Sequence, residues 1–268
     1  MILEQTYNLL NSRYNKLIEK LTIADVRIGL HLSAVKLSDG SVGAAGTLNE
    51  SNVHCAKANR DFGDYTPSHI AGHTVIDLFN TAKKSDVIDT LKIAVLNAIS
   101  SRLISNSGYK IIEDTDPVDL IDLQSQKTIT IVGAFQSYIQ RISETRNRLH
   151  VLELDKNALI EDHQKFYVPA KEFSMVIPAS DIVIITGLTL VNNTIDGLLA
   201  AVKPGTQVIV TGPSGNILPD ILFENNVTII GAMRITNPEL LFKIVSEAGT
   251  GYHLIKYCAR KICILNEK

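Results

Sequence analysis

Apolar positions follow two regimes along the chain. Up to residue 105 they recur at helical or alternating spacing, and from residue 128 they gather in short solid runs. Ile2 to Leu21 sets Leu3, Leu10, Tyr14, Leu17, Ile18 and Leu21 near one face, which predicts an amphipathic helix. Residues 25–33 alternate, with Val26, Ile28, Leu30 and Leu32 against Asp25, Arg27 and His31, the pattern of a half-buried strand. Residues 35–37, the turn Ser38-Asp39-Gly40 and residues 41–46 predict an antiparallel meander continuing from it. Thr74 to Ala82 predicts a short helix. Ser85 caps a longer one, Asp86 to Ile104, with Asp86 and Asp89 suited to the helix dipole. Its apolar face carries Ile88, Leu91, Val95, Ile99 and Leu103.

The second regime centres on Ile182–Ile185 and Val208–Val210, runs that are apolar on both faces and suit strands covered by helices on both sides. Between them, Thr194 to Val202 has Ile195, Leu198, Leu199 and Val202 at helical spacing; Asn192 or Asn193 caps it and Pro204-Gly205 ends it. This is a β-α-β unit. Strands are also predicted at 128–132, 149–154, 227–230 and 260–265, and helices at 136–145, 218–224 and 238–248, while 155–179 reads as irregular with a short helix. The rhythm predicts an α/β fold: a doubly wound, Rossmann-like sheet of roughly five parallel strands. Residues 1–107 form a smaller α+β domain, 108–127 an acidic solvated linker (Glu113, Asp114, Asp116, Asp119, Asp122), and 128–268 the Rossmann-like domain.

Composition narrows the class. The 268 residues are 45% hydrophobic, enough for a real core, and the formal net charge of -2 without a basic tract argues against a nucleic-acid partner. The start, Met1-Ile2-Leu3-Glu4, has no cationic region before an apolar one, and the longest apolar stretch, 173–191, is broken by Pro178, Asp181 and Gly187. Neither a signal peptide nor a membrane partner is expected. Three cysteines without framework spacing suit a reducing compartment, so a cytoplasmic protein is expected.

Two polar loops follow the two central strands: Thr186 to Thr194, and Thr211-Gly212-Pro213-Ser214-Gly215-Asn216. Both fall at the carboxyl edge of the sheet, where open α/β folds bind ligands, and their hydroxyls and amides suit a polar or anionic molecule. Turn and cap duties are the alternative for any one of these residues. Gly133 follows the first strand of the domain and Glu153 ends the second, twenty residues later, the spacing at which an acid holds a ribose. Phe135, however, stands where a second glycine would let the backbone approach a pyrophosphate, which argues against ordinary NAD binding. Ser214, in G-P-S-G, lacks the nucleophile-elbow pattern and reads as a ligand-contacting hydroxyl or a turn residue. His54, Cys55, His69 and His73 are candidate transition-metal ligands. His69 and His73 would share a helix face, but Gly72 lies between them and the helix is expected to start after His73.

Four motifs together resemble the putative heavy-metal chelation family over nearly the whole chain: Val132-Gly133-x-Phe135, Thr186-Gly187-x-Thr189-Leu190-x-Asn192-x-Thr194, Gly212-Pro213-Ser214, and Ala94-x-x-Asn97-Ala98. The resemblance implies an enolase N-terminal-like domain before the Rossmann-like one, with a ligand pocket in the cleft between them. Thr186, Thr189, Asn192, Thr194 and Ser214 would line one side, and Asn97 or the loop after Gly46 the other. Asn193 departs from the pattern where a glycine is common, and Gly215-Asn216 replaces a more proline-rich continuation. These motifs hold no Cys or His, the ligands that soft metals favour. Three readings stay open: binding of a small polar or anionic ligand, a metal or metal complex included; an enzyme with NAD(P) or S-adenosylmethionine in the same cleft; and a non-catalytic, homo-oligomeric assembly module.

Overall fold

A computed structural model describes residues 1–48 and 63–267. The chain opens with helix α1 (Ile2–Ile18) and a three-stranded antiparallel sheet, β1 (Ile23–Ile28), β2 (Leu32–Leu37) and β3 (Val42–Gly46). The alternating run at 25–33 is therefore not one strand: it spans β1, a turn and the start of β2. The Gly29 N–H donates to the Leu32 carbonyl (2.9 Å) and closes that turn, leaving Leu30 58% exposed. A period-2 count passes through a turn of this kind undetected, because the alternation resumes in the returning strand. The β2–β3 turn falls at Ser38-Asp39-Gly40 as expected, with Gly40 at φ +86°.

Helix α2 (Val75–Asn80) starts on a capping box between Thr74 and Asp77. In α3 (Asp86–Ser105) the Ser85 hydroxyl accepts the Ile88 N–H (3.2 Å). The apolar face read from the sequence understates α3. Ile93, Ala94, Leu96 and Ala98 are buried as well, because the sheet lies on one side and the second half of the chain on the other. Gly43 permits the close approach of β3: an added Cβ would sit 2.2 Å from the Ala94 carbonyl oxygen and 2.3 Å from the Ala98 nitrogen.

The large sheet contains β4 (Lys110–Glu113), β5 (Thr128–Val132), β6 (Arg148–Glu153), β7 (Tyr167–Pro169), β8 (Ile182–Thr186), β9 (Gln207–Thr211), β10 (Ile229–Ile235) and β11 (Ala259–Leu265), in the order β4-β11-β10-β9-β8-β5-β6-β7. The strands from β7 through β10 are parallel, while β11 and β4 run antiparallel at one edge. In chain order the parallel strands read 3-2-1-4-5-6, the doubly wound arrangement with its switch point between β5 and β8. The strand missed within 155–179 is β7, three residues ending in proline and too short to show a period.

The acidic stretch expected as a solvated linker instead supplies β4 and a turn at Pro117–Leu120. Its carboxylates are committed locally: Asp116 caps the turn and pairs with Lys261 (2.5 Å), and Asp119 pairs with Arg141 (2.5 Å). Val118 and Ile121 between them are buried in the core.

Helices α4 (Gln136–Ser143), α5 (Phe173–Val176), α6 (Leu188–Val191), α7 (Ile195–Ala200), α8 (Pro219–Glu224), α9 (Pro238–Ser246) and α10 (Gly251–Tyr257) complete the described chain. The helix expected at 194–202 is α7, and the loop before it holds a further short helix, α6; Asn193, at φ +57°, separates the two. Asparagine tolerates this left-handed geometry better than most side chains. One hydrophobic cluster runs through both parts of the molecule, joining Leu10, Val35 and Leu91 to Val183, Val210 and Ile230. Among the described residues no helix is long and apolar enough to cross a membrane.

Candidate functional site

The β-branched runs of β5 and β8 bury both strands and deliver their following loops to one point, the carboxyl-terminal switch point. A crevice of ≈ 450 Å³ opens there, within the size range of small-molecule sites. Gly133, at φ +105°, floors it; a Cβ here would lie 3.1 Å from Thr186 Cγ2. Glu153 stands on one side at the tip of β6, and Thr186, Thr189, Asn192 and Thr194 stand on the other. Leu152, Leu154, Phe173, Leu188 and Leu198 supply apolar walls, with Lys171 at the exposed rim.

Some of these polar groups are spent locally. The buried Thr189 hydroxyl donates to the Thr186 carbonyl (2.6 Å) and binds α6 to the end of β8. Asn192 Oδ1 accepts from the Thr194 N–H (3.2 Å) and hydroxyl (2.7 Å), a local turn rather than the expected helix cap: the N-cap of α7 is Thr194, with no side-chain cap bond. The Asn192 amide nitrogen has no protein partner among the described residues. Thr186 Oγ1 accepts the Leu188 N–H (3.3 Å), which leaves the hydroxyl proton available. Glu153 Oε1 accepts the N–H of Leu154 (2.7 Å), and no cation pairs with the carboxylate among the described residues. The crevice thus offers an acceptor on the β6 side and donors on the β8 side, with an apolar middle.

The remaining sequence candidates lie elsewhere. Phe135 turns its ring onto Tyr138 (centroids 5.3 Å apart) and packs against the core. Gly187 and Gly212 serve close backbone contacts: the Gly187 N–H donates to the Thr211 carbonyl (2.7 Å), and Gly212 adopts φ +113°. Ser214 is buried and its Oγ accepts the Gly46 N–H (2.8 Å). Asn97 is buried and donates to the Ala44 (2.7 Å) and Pro213 (3.1 Å) carbonyls. These residues fill the seam between the two halves of the chain. Asn216 bonds both polar ends of its amide to the Met233 backbone, stitching the second loop to β10. At the outer end of the seam a groove of ≈ 390 Å³ contains Arg102 and Arg234, already paired with Asp39 (2.7 Å) and Glu113 (2.6 Å).

The histidine pair does not form the expected helical site. Both residues precede α2, His69 is exposed, and His73 packs against the Tyr65 ring (centroids 4.9 Å apart). His54 and Cys55 lie outside the described residues. Cys258 and Cys263 are buried; burial pushes both thiols up, that of Cys263 to about 12. Among the described residues no group of three or more His, Cys, Asp or Glu could hold a metal ion. The crevice donors are oxygens and one amide, a hard set that does not fit a bare soft ion. Lys171, Phe173 and Leu154 were absent from the sequence candidates. Lys171 and Phe173 fall in 155–179, which reads as irregular with a short helix, and Leu154 closes the strand expected at 149–154 with no polar group to mark it.

A family profile described as "Putative heavy-metal chelation" matches residues 116–264, and a second with the same description matches residues 12–100. An uncharacterized protein of Methanocaldococcus jannaschii is 25% identical over 162 residues, 59% of this chain; the chain spans 60% of the length of that relative. A solved structure of unknown function from the same family in Pyrococcus horikoshii superposes with TM-score 0.78 at 21% identity, covering 99% of this chain and 100% of that one. Another, from Desulfitobacterium hafniense, gives TM-score 0.74 at 18% identity, covering 98% and 100%. At these identities the likeness is one of fold.

Proposed function

The chain belongs to the putative heavy-metal chelation family, and from that premise we propose that its switch-point crevice binds a small organic molecule, alone or as the carrier of a metal. The observation that supports this reading is the polarity of the crevice. Among the described residues an unpaired carboxylate (Glu153) stands on the β6 side, an unpartnered amide nitrogen (Asn192) stands on the β8 side, and leucines and Phe173 form apolar walls, with the Lys171 ammonium following β7 at the rim. A metal presented inside its own organic chelate needs no thiolate or imidazole from the protein. The protein reads the outer shell of such a complex by hydrogen bonds and apolar contact. Asn192 and Thr186 then select the acceptor-bearing end of the ligand.

Native mass spectrometry with elemental analysis tests this, on protein purified without chelators or a histidine tag. The expected result is an organic adduct, with or without metal, whose occupancy falls in Asn192→Ala while that variant remains folded. A stoichiometric bare metal with no organic mass, retained in Asn192→Ala, would overturn the proposal. So would protein that captures nothing from a small-molecule extract.

A further inference from the structure

We infer that the crevice is selective for a nucleoside-type ligand, one that carries a vicinal diol and no diphosphate. The inference rests on the crevice being the ligand site, and it names the class of that ligand. Its starting point is Glu153. One carboxylate oxygen accepts the following backbone N–H (2.7 Å), which fixes the group at the tip of β6, and no cation neutralises it among the described residues. At neutral pH a carboxylate only accepts hydrogen bonds, so its ligand must donate there without bringing a second anion. Two adjacent hydroxyls meet that demand, and the strand next to the glycine turn of a doubly wound sheet is where an acid reads a sugar diol.

The excluded group follows from the turn itself. A diphosphate needs free backbone N–H groups and room for close approach. Here the Gly133 N–H is given to the Leu152 carbonyl (3.0 Å) and the Phe135 N–H to the Gly133 carbonyl (3.0 Å). The residue that would need to be a second glycine is Phe135, whose ring is committed to the core. With these two N–H groups spent and Phe135 in the place of a second glycine, the turn favours a sugar over a pyrophosphate. A planar base has an apolar surface to meet: Leu154, next to Glu153, is 81% exposed and lines the crevice. Toward β8 the available groups are donors, namely the Asn192 amide and the Thr186 hydroxyl. They suit a small acceptor-rich or carboxylate substituent at the far end of the sugar.

Calorimetric titration of the full chain with adenosine, 2′-deoxyadenosine, S-adenosylhomocysteine and NAD tests the inference. Adenosine and S-adenosylhomocysteine are expected to bind, and loss of the 2′-hydroxyl should weaken binding about tenfold. Glu153→Ala should abolish the difference between adenosine and its deoxy form, a readout that loss of stability alone does not produce. Asn192→Ala should weaken S-adenosylhomocysteine more than adenosine. NAD binding as tightly as adenosine would overturn the exclusion of diphosphate. Absence of binding by any ribonucleoside, with a different organic adduct found by mass spectrometry, would overturn the inference and leave the proposed function standing.

Discussion

Replacing Asn97 with alanine separates a structural residue from a ligand-binding one. The Asn97 amide nitrogen donates to the Ala44 carbonyl in β3 and to the Pro213 carbonyl after β9, and so joins the two halves of the chain. Alanine removes both bonds inside a site that water does not reach, at a cost of about 1–3 kcal/mol for each orphaned partner. One term runs the other way. Asn97 Oδ1 is buried with no partner, and its removal recovers about 1 kcal/mol by the same reasoning. The truncation also leaves a small void. The net loss is about 2–4 kcal/mol, which for a chain of this length lowers Tm by about 4–10 °C. Asn97→Asp keeps the volume but turns an oxygen toward both carbonyls, so it should be worse than alanine at neutral pH. The assay is thermal unfolding of the three proteins, combined with ligand titration of the folded fraction. An unchanged Tm in Asn97→Ala with ligand binding lost would refute the reasoning and return Asn97 to the binding site.

Two further outcomes are expected. Burial raises the Asp220 carboxyl, but hydrogen bonds from Tyr109 and Arg13 outweigh it and hold the group below its usual range. A depressed folded value contributes stability above the ordinary carboxylate range, and that contribution is lost as pH falls through it. Denaturant midpoints should therefore decline below about pH 4, and Asp220→Asn should flatten that decline while lowering the midpoint at pH 7; parallel curves for the two proteins would contradict it. Iodoacetamide at pH 8 should leave Cys258 and Cys263 unmodified in the folded protein, because burial keeps both as neutral thiols. Peptide mass mapping reads this, and rapid labelling of Cys263 before unfolding would contradict it.

The central strands were legible because β8 and β9 are solid β-branched runs with helices on both sides, a pattern few other environments produce. Strands β4 and β7 were not, since four and three residues carry no period. Their pairing depends on β11 and β6 lying alongside them. Thr186, Thr189, Asn192 and Thr194 were found because they share one loop directly after a strand, and a loop at a strand end is a local feature. Asn97 and Ser214 bear the same kinds of groups, yet their duties depend on which backbone each one meets from far along the chain.

The amino-acid order by itself determined the strand-helix rhythm, the position of the polar loops, and the family. These follow from side-chain periods and short-range stereochemistry, which act within a few residues. Only the tertiary structure decided that the seam between the halves is filled by Asn97, Gly46 and Ser214, and that the open space lies instead between Glu153 and Asn192. It also brought Lys171 and Phe173 to that space. Those outcomes depend on strand order, and a chain shows its strand order only when the sheet has been assembled and each strand has taken its neighbours.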